Sequence, residues 1–376
     1  MKSSVEIWMT EEPDYWQENL REQIRSHGVR KLFWIHGHSM DHLALGRALR
    51  AFLAREGIET VSFTGVRPNP DIGIVREALL RYQNSGCDGI LAVGGGSVID
   101  VAKCVKRFAA CDAASDLLAC DPEESAIPLI AAPTTAGTGS EATHFAVVYQ
   151  DGRKYSVAHP SLVPDAVLFD PEALVTLPLY QKQATALDAF CHAVEACWSV
   201  HATLESQRFS VQSLQLLCPH IEAYLQSRPS VEACREMMRA ANLAGKAINL
   251  AKTTAGHAMC YGLTERYGIA HGHAAALCVA RLWPELIHSA DESEEVAHAL
   301  QQIAEVMGAD AWMEGPRQLA EWLRAWGLAR PLEQGDVRQA AEELADQVNL
   351  QRLGNYPQKL TREHIVALYQ RILRGE

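Results

Sequence analysis

The segment ALDAFCHAVEAC, residues 186–197, sets a carboxylate, Asp188, four positions before an imidazole, His192, in a run of good helix formers. On an α-helix this spacing stacks two side chains on one face, so they can converge on one point. An exposed pair, a buried hydrogen bond and half of a metal site all share that signature. Further along, KTTAGHAMCYGLTERYGIAHGHAAAL adds His257, His271 and His273. Neutral imidazoles with one carboxylate suit a divalent first-row ion such as Fe2+ or Zn2+, and an open coordination position would admit a substrate oxygen. A single histidine on an alanine-rich face is more often structural, so the set needs support from its surroundings.

A second chemistry is written in glycine and hydroxyl residues. LAVGGGSVIDVAK places Gly94, Gly95, Gly96 and Ser97 between an apolar strand and an amphipathic helix. Glycines let a backbone approach phosphate closely, and the free N–H groups of a helix start favour an anion. PTTAGTGSEAT, after the apolar run IPLIAA, gathers Thr134, Thr135, Thr138 and Ser140 around two glycines. Hydroxyls at a strand end suit a phosphate- or ribose-bearing ligand at the carboxyl edge of a sheet. The third polar set is IHGHS, with Gly37 flanked by His36, His38 and Ser39. Dinucleotide folds that use NAD commonly carry a carboxylate near this strand end, on the ribose 2′-hydroxyl. Its absence here leans toward NADP, and so toward NADPH over NADH.

The elements that must position these residues change character along the chain. From about residue 30 to 170, KLFWI, TVSF, GILAVGGG and IPLIAAP alternate with DHLALGRALRAFLARE, DIGIVREALLRYQNSG and VIDVAKCVKRFAA. Strand and helix in alternation predict a parallel sheet with helices on its faces, an α/β dinucleotide-binding layout. Beyond DAVLFDPEALVTLP the texture turns to alanine- and leucine-rich helical stretches such as VQSLQLLCPHIEAYLQ and DVRQAAEELADQVN. The expectation is an α/β domain over 1–172 and an all-helical domain over 173–376, joined near Pro171 to Pro178.

The bulk properties agree. A chain of 376 residues exceeds what one core usually serves. With 48% hydrophobic and 21% charged residues it reads as globular, and a net charge of -12 argues against nucleic acid or an anionic membrane surface as partner. The ten cysteines form no CxxC pair, which fits a reducing cytoplasm. No segment approaches the roughly 18 uninterrupted apolar residues of a membrane span, and the N-terminus lacks a signal-type apolar region. A soluble cytoplasmic protein, complete from residue 1, is expected.

Taken in order, GGGSVID, PTTAGTGSEAT, the Asp188 to His192 spacing and the interval of fourteen from His257 to His271 resemble the iron-containing (group III) alcohol dehydrogenases over nearly the whole chain. The resemblance implies an N-terminal dinucleotide-binding domain, a helical C-terminal domain and a catalytic metal held by Asp188, His192, His257 and His271. It further implies Gly95, Gly96, Ser97 and Asp100 on the pyrophosphate side, with Thr134, Thr135, Thr138 and Ser140 lining the nucleotide and nicotinamide ribose. Asn69 of RPNP and Lys154 of GRKYS fall at cofactor-contacting positions, and the family commonly forms dimers. One departure stands out. Several members have a histidine four residues after the third ligand, proposed as a proton relay, where this chain has Tyr261; the relay then passes through Tyr261, His273, water or the ribose hydroxyls.

The chemistry so implied is hydride transfer between nicotinamide and a small aldehyde or alcohol, with the metal as Lewis acid. More narrowly, KTTAGHAMCYGLTERYGIAHGHAAALCV and HFAVVYQDGRKYSVAHPSLVPDAVLFDP resemble the phosphonoacetaldehyde reductases (hydroxyethylphosphonate dehydrogenases). A phosphonate needs cationic or N–H donors near the metal; Lys252, with the Thr253 and Thr254 hydroxyls, supplies candidates. A general short-chain alcohol, aldehyde or semialdehyde dehydrogenase shares every motif without needing that pocket. A glycerol-dehydrogenase or dehydroquinate-synthase relative would share the fold with a different metal constellation. A non-catalytic nucleotide-binding protein would have no reason to keep four ligands at this spacing.

Overall fold

A computed structural model describes residues 4–9, 14–288, 290, 293–308, 311–348 and 350–376, without the side chains of Ser39 and Gln351. The chain forms two compact units. One comprises residues 1–135, 139–177 and 230–238, the other 136–138, 178–229 and 239–376.

In the first unit β1 (Val5–Trp8), β2 (Lys31–His36), β3 (Glu59–Phe63), β4 (Gly89–Gly94), β5 (Leu129–Pro133) and β8 (Ala166–Phe169) make one six-stranded sheet in the order β1-β8-β5-β4-β2-β3. Every pairing in it is parallel. The strands read as unbroken apolar runs because both faces are covered. Alternate residues feed two separate cores. Leu32, Trp34, Leu91, Val93 and Ile130 pack with α1 (Tyr15–Ser26) and α2 (Ala44–Arg55). Phe33, Ile35, Ile90, Ala92 and Leu129 pack with α3 (Ile72–Gln83) and α4 (Gly96–Phe108).

Strand order reverses between β2 and β4, the place where open α/β sheets bind ligands. His36 is in register with Val93, and the Gly37 N–H donates to the Val93 carbonyl at 3.2 Å, so the Gly37 turn lies beside the glycine turn that follows β4. Two elements escaped the pattern reading: β1 at the sheet edge, and the antiparallel hairpin of β6 (Phe145–Gln150) and β7 (Arg153–Ala158). The unit ends with β8 and the short α5 (Glu172–Val175).

The second unit is helical, with no strand among its described residues. At its centre α6 (Leu179–Trp198) is buried along most of its length. Alanines at 184, 186, 189, 193 and 196 keep this helix thin, which lets α7 (Leu204–Tyr224) and α10 (His271–His288) pack close to it. The chain continues through α8 (Val231–Ala251), which begins in the first unit, and α9 (Ala255–Tyr267). After α10 come α11 (Glu294–Val306), α12 (Glu314–Ala325), α13 (Val337–Asp346), α14 (Leu350–Leu353) and α15 (Arg362–Arg374). No helix among the described residues is long and apolar enough to cross a membrane.

Candidate active site

Asp188 and His192 do share a face of α6, and both are buried. The first turns of α9 and α10 bring His257 and His271 to the same carboxylate. Asp188 Oδ1 lies 3.9 Å from His192 Nε2, 3.4 Å from His257 Nε2 and 3.9 Å from His271 Nε2. Ligand atoms of Asp188, His192 and His257 all fall within 4.8 Å of one another. The two 3.9 Å gaps are too long for hydrogen bonds. Metal–ligand bonds of about 2.1 Å separate tetrahedral ligands by roughly 3.4 Å, the spacing of Asp188 Oδ1 and His257 Nε2; the two longer gaps leave room for an ion between the groups. Two imidazole nitrogens and one carboxylate oxygen gathered in this way, with the His271 Nε2 3.9 Å from the same carboxylate oxygen, fit a divalent first-row ion.

The packing that makes this convergence possible rests on two glycines. A Cβ at Gly272 would sit 2.0 Å from the Ala184 carbonyl oxygen and 2.6 Å from Asp188 Cβ, so only glycine lets α10 lie against α6 where His271 reaches the carboxylate. A Cβ at Gly256 would sit 2.5 Å from a Val279 methyl and 3.1 Å from the Glu195 carboxyl group. Glycine there lets the start of α9 close onto Glu195.

Glu195 is the residue that spacing alone did not reveal as functional. It is fully buried on α6, seven positions after Asp188 and three after His192. Its Oε2 is bonded to His257 Nδ1, while Oε1 accepts from the Thr254 N–H at 3.1 Å, the Thr254 hydroxyl at 2.5 Å and the Gly256 N–H at 3.0 Å. One carboxylate thus orients the His257 imidazole and satisfies the first N–H groups of α9. Trp198 Nε1 donates to the Thr254 hydroxyl at 3.3 Å. That buried hydroxyl is thus held between Glu195 and Trp198, behind His257.

Charge follows from this layout. Burial disfavours ionised Asp188, yet the surrounding imidazoles hold its carboxyl well below the usual range. Burial also disfavours protonated His257, but Glu195 and Asp188 override it and raise the ring to about 9. His192 moves the other way, down to about 4, chiefly through burial. His271, with 30% of its side chain exposed, is the most open of the four; its Nδ1 faces Cys260 Sγ at 3.5 Å.

The remaining candidates of this unit separate clearly. The Tyr261 ring stacks on His271, with centroids 5.4 Å apart and planes at 14°. Arg352 Nη1 donates to the Tyr261 hydroxyl and to the Thr253 hydroxyl. His273 bonds to partners outside the four-residue set. Its Nε2 donates to the Leu328 carbonyl at 2.9 Å, and its Nδ1 meets the Tyr180 hydroxyl at 3.1 Å, which itself accepts the Ala270 N–H. A shift of two positions from His271 turns the side chain to a different face of α10. Lys252 follows the last residue of α8 in the left-handed region, φ 62°, with its side chain exposed. Thr138 is half-buried and belongs to this unit.

In the first unit the glycine turn has the expected form. Gly95 precedes the first turn of α4, Gly96 is buried and Ser97 half-buried. The Thr134 N–H donates to the Gly94 carbonyl at 3.0 Å, and the Thr135 side chain lies 3.4 Å from where a Gly95 Cβ would stand. The two loops therefore meet. Asp100 and Ser140 lie beneath them, both buried: the Ser140 hydroxyl donates to Asp100 Oδ1 at 2.6 Å, and Asp100 Oδ2 accepts the Val147 N–H at 3.0 Å. They brace the loop. Lys103, unremarked in the sequence, completes the brace by donating to the carbonyls of Ser140, Thr143 and Phe145. Burial lowers its ammonium to about 8 against the pull of Asp100.

Lys154 stands on β7 opposite Tyr149, close enough for its charge to act on Asp100. Asn69 is exposed with φ 54°, and Gly37 and His38 open the turn after β2. The Ser39 side chain lies outside the described set.

Comparison with known proteins agrees with this geometry. Residues 15–171 match the family model described as iron-containing alcohol dehydrogenase, and residues 182–373 that of the C-terminal part of the same family. A phosphonoacetaldehyde reductase of Streptomyces viridochromogenes is 36% identical over 206 residues, 52% of this chain and 52% of that protein. The chain thus spans about half the length of that relative. The choline dehydrogenase of Bacillus subtilis is 31% identical over 262 residues, 68% of this chain and 65% of the other. Among solved structures, the sulfoacetaldehyde reductase from Bifidobacterium kashiwanohense in complex with NAD+ superposes with a TM-score of 0.85 at 22% identity, covering 99% of this chain and 98% of that one. An iron-containing alcohol dehydrogenase from Thermococcus thioreducens gives a TM-score of 0.88, also at 22%, with full coverage of both chains. At these identities the structures speak for the fold.

Proposed function

Because the chain belongs to the iron-containing alcohol dehydrogenase family, we propose that it is a metal-dependent oxidoreductase using NAD(P)H to reduce a small aldehyde to its primary alcohol, most specifically phosphonoacetaldehyde to 2-hydroxyethylphosphonate. The observation that carries the reading is the convergence of His192, His257 and His271 Nε2 on Asp188 Oδ1. These four residues would hold Fe2+ or Zn2+, which when bound supplies Lewis acidity to a carbonyl oxygen. NAD(P)H, when bound, would supply the hydride.

The chain's own residues do the rest. Asp188 offsets cationic charge, and Glu195 fixes the His257 ring so that its Nε2 faces the other ligands. Reduction consumes one proton at the carbonyl oxygen. On the nucleotide side, Gly95, Gly96 and Ser97 offer N–H groups at the start of α4, and Thr134 and Thr135 offer hydroxyls. NADPH is the preferred donor in this reading. Gly37 stands where a ribose-binding acid would be, and Asp41 in the same turn is paired with Arg50 at 2.6 Å. A homodimer in the cytoplasm completes it, testable by light scattering and cell fractionation.

The phosphonate assignment is supported by the 36% identity to the Streptomyces reductase. A general short-chain dehydrogenase is the second reading, supported by similarity to a choline dehydrogenase and to the 4-hydroxybutyrate dehydrogenase of Cupriavidus necator. NADPH and NADH oxidation with phosphonoacetaldehyde, set against acetaldehyde, glycolaldehyde and succinic semialdehyde, separates them. A kcat/KM for phosphonoacetaldehyde at least about 100-fold above the others, roughly 2.7 kcal/mol, is expected. Equal rates would leave the reductase and remove the phosphonate claim.

A further inference from the structure

A guanidinium stands one aromatic ring away from the most open metal-ligand candidate. Arg352, on the four-residue helix α14, donates through Nη1 to the Tyr261 hydroxyl and, at 3.3 Å, to the Thr253 hydroxyl. Its guanidinium carbon lies 5.6 Å from the centre of the Tyr261 ring, and that ring stacks in turn on His271. The order in space is thus carboxylate, imidazole, phenol, guanidinium.

The cation is held in place from behind. The Asn355 side-chain amide donates to the Thr253 carbonyl at 2.9 Å, while its oxygen meets His201 Nε2 at 3.1 Å and its backbone carbonyl accepts the Val200 N–H at 3.0 Å. Thr253 and Asn355 are both buried. The segment carrying Arg352 is therefore laced to the residues just before α9, the helix that presents His257 and Tyr261.

We propose that Arg352, with the Thr253 and Tyr261 hydroxyls it bonds, is the specificity-determining site for the charged tail of the substrate, and that this tail is a tetrahedral oxyanion on a short aldehyde. The inference rests on the proposed reductase function and deepens it. A planar guanidinium binds oxyanions in bidentate fashion, and hydroxyls beside it add donors to a tetrahedral group. An anionic tail gains charge-assisted hydrogen bonds here that a neutral aldehyde does not, so the site discriminates by charge. Lys252, next to Thr253 in sequence but exposed just after α8, is the rival cation.

The test compares wild type, Arg352→Gln, Arg352→Lys and Lys252→Ala as metal-loaded enzyme with NADPH. Phosphonoacetaldehyde and sulfoacetaldehyde supply tetrahedral anions, succinic semialdehyde a planar one, and propionaldehyde none. Arg352→Gln should lower kcat/KM for the tetrahedral anions at least about 100-fold, mainly through KM, with propionaldehyde changed less than about threefold. Arg352→Lys should fall between, and Lys252→Ala should stay close to wild type. Inhibition of propionaldehyde reduction by methylphosphonate should weaken at least about tenfold in Arg352→Lys, which keeps the assignment testable if the glutamine variant does not fold.

Wild type that turns over propionaldehyde as well as the anionic aldehydes overturns the phosphonate function and this site with it. Anion preference that survives Arg352→Gln, or moves only with Lys252→Ala, overturns the assignment of Arg352 alone. Equal losses on charged and neutral aldehydes would show a merely structural residue and overturn it too.

Discussion

Glu195 and His257 are joined through Oε2 and Nδ1, with the other carboxylate oxygen gathering the N–H groups that open α9. The pair makes ligand orientation and helix packing one event. Glu195→Gln keeps the size but loses the charge that supports the imidazole, so divalent-metal affinity should fall about 10- to 100-fold. Titration of the metal-free protein with Zn2+ measures it; an unchanged Kd would mean that Glu195 serves packing only.

The same carboxylates give metal binding a pH dependence. Without metal the His257 ring is raised to about 9, so at neutral pH it carries a proton that an incoming ion must displace. Affinity should therefore be highest above about pH 9 and fall as pH drops through it, whereas His192, lowered to about 4, adds no proton competition near neutrality. Calorimetry in buffers of different ionisation heat at pH 7.5 should find at least one proton released per ion. Zero release would contradict the protonation assigned to His257.

Gly272 carries a steric prediction. Alanine there would drive a methyl to 2.0 Å from the Ala184 carbonyl oxygen and force α10 away from α6. Gly272→Ala should cost about 1–3 kcal/mol of stability and reduce bound metal with it, as His271 moves off the Asp188 carboxylate. Thermal unfolding with metal analysis checks both; full metal content at parental stability would contradict the packing account.

Cofactor choice turns on the strand end at Gly37. Gly37→Asp introduces the acid that hydrogen-bonds a free 2′-hydroxyl and repels a 2′-phosphate, so the kcat/KM ratio of NADPH to NADH should fall at least about tenfold. No shift in that ratio would remove the case for NADPH.

How far the sequence could be read depended on whether a feature was local. Asp188 and His192 are legible because helical spacing alone brings them together, and the strands around Phe33, Leu91 and Ile130 because buried parallel strands are apolar throughout. Glu195 obeys the same spacing rule from His192, but a helix acid gives no local sign of being buried. Asp100 and Ser140 show the converse: a hydroxyl that braces a loop and one that faces a ligand look alike until the fold places them. His273 differs from His271 only by a step of two, which on a helix decides the face. Arg352 meets Tyr261 from 91 residues away, a contact made by the packing of α14 beside α9 and written in no local pattern.

The most direct test of the account is NADPH oxidation with a small aldehyde by protein stripped with a chelator, then reloaded with Fe2+ or Zn2+, alongside His271→Ala. The account predicts loss of turnover on stripping, recovery with the ion, and a variant that binds less metal and recovers less activity. Turnover that continues in the stripped protein, or in His271→Ala at undiminished rate, would contradict a metal held by Asp188, His192, His257 and His271.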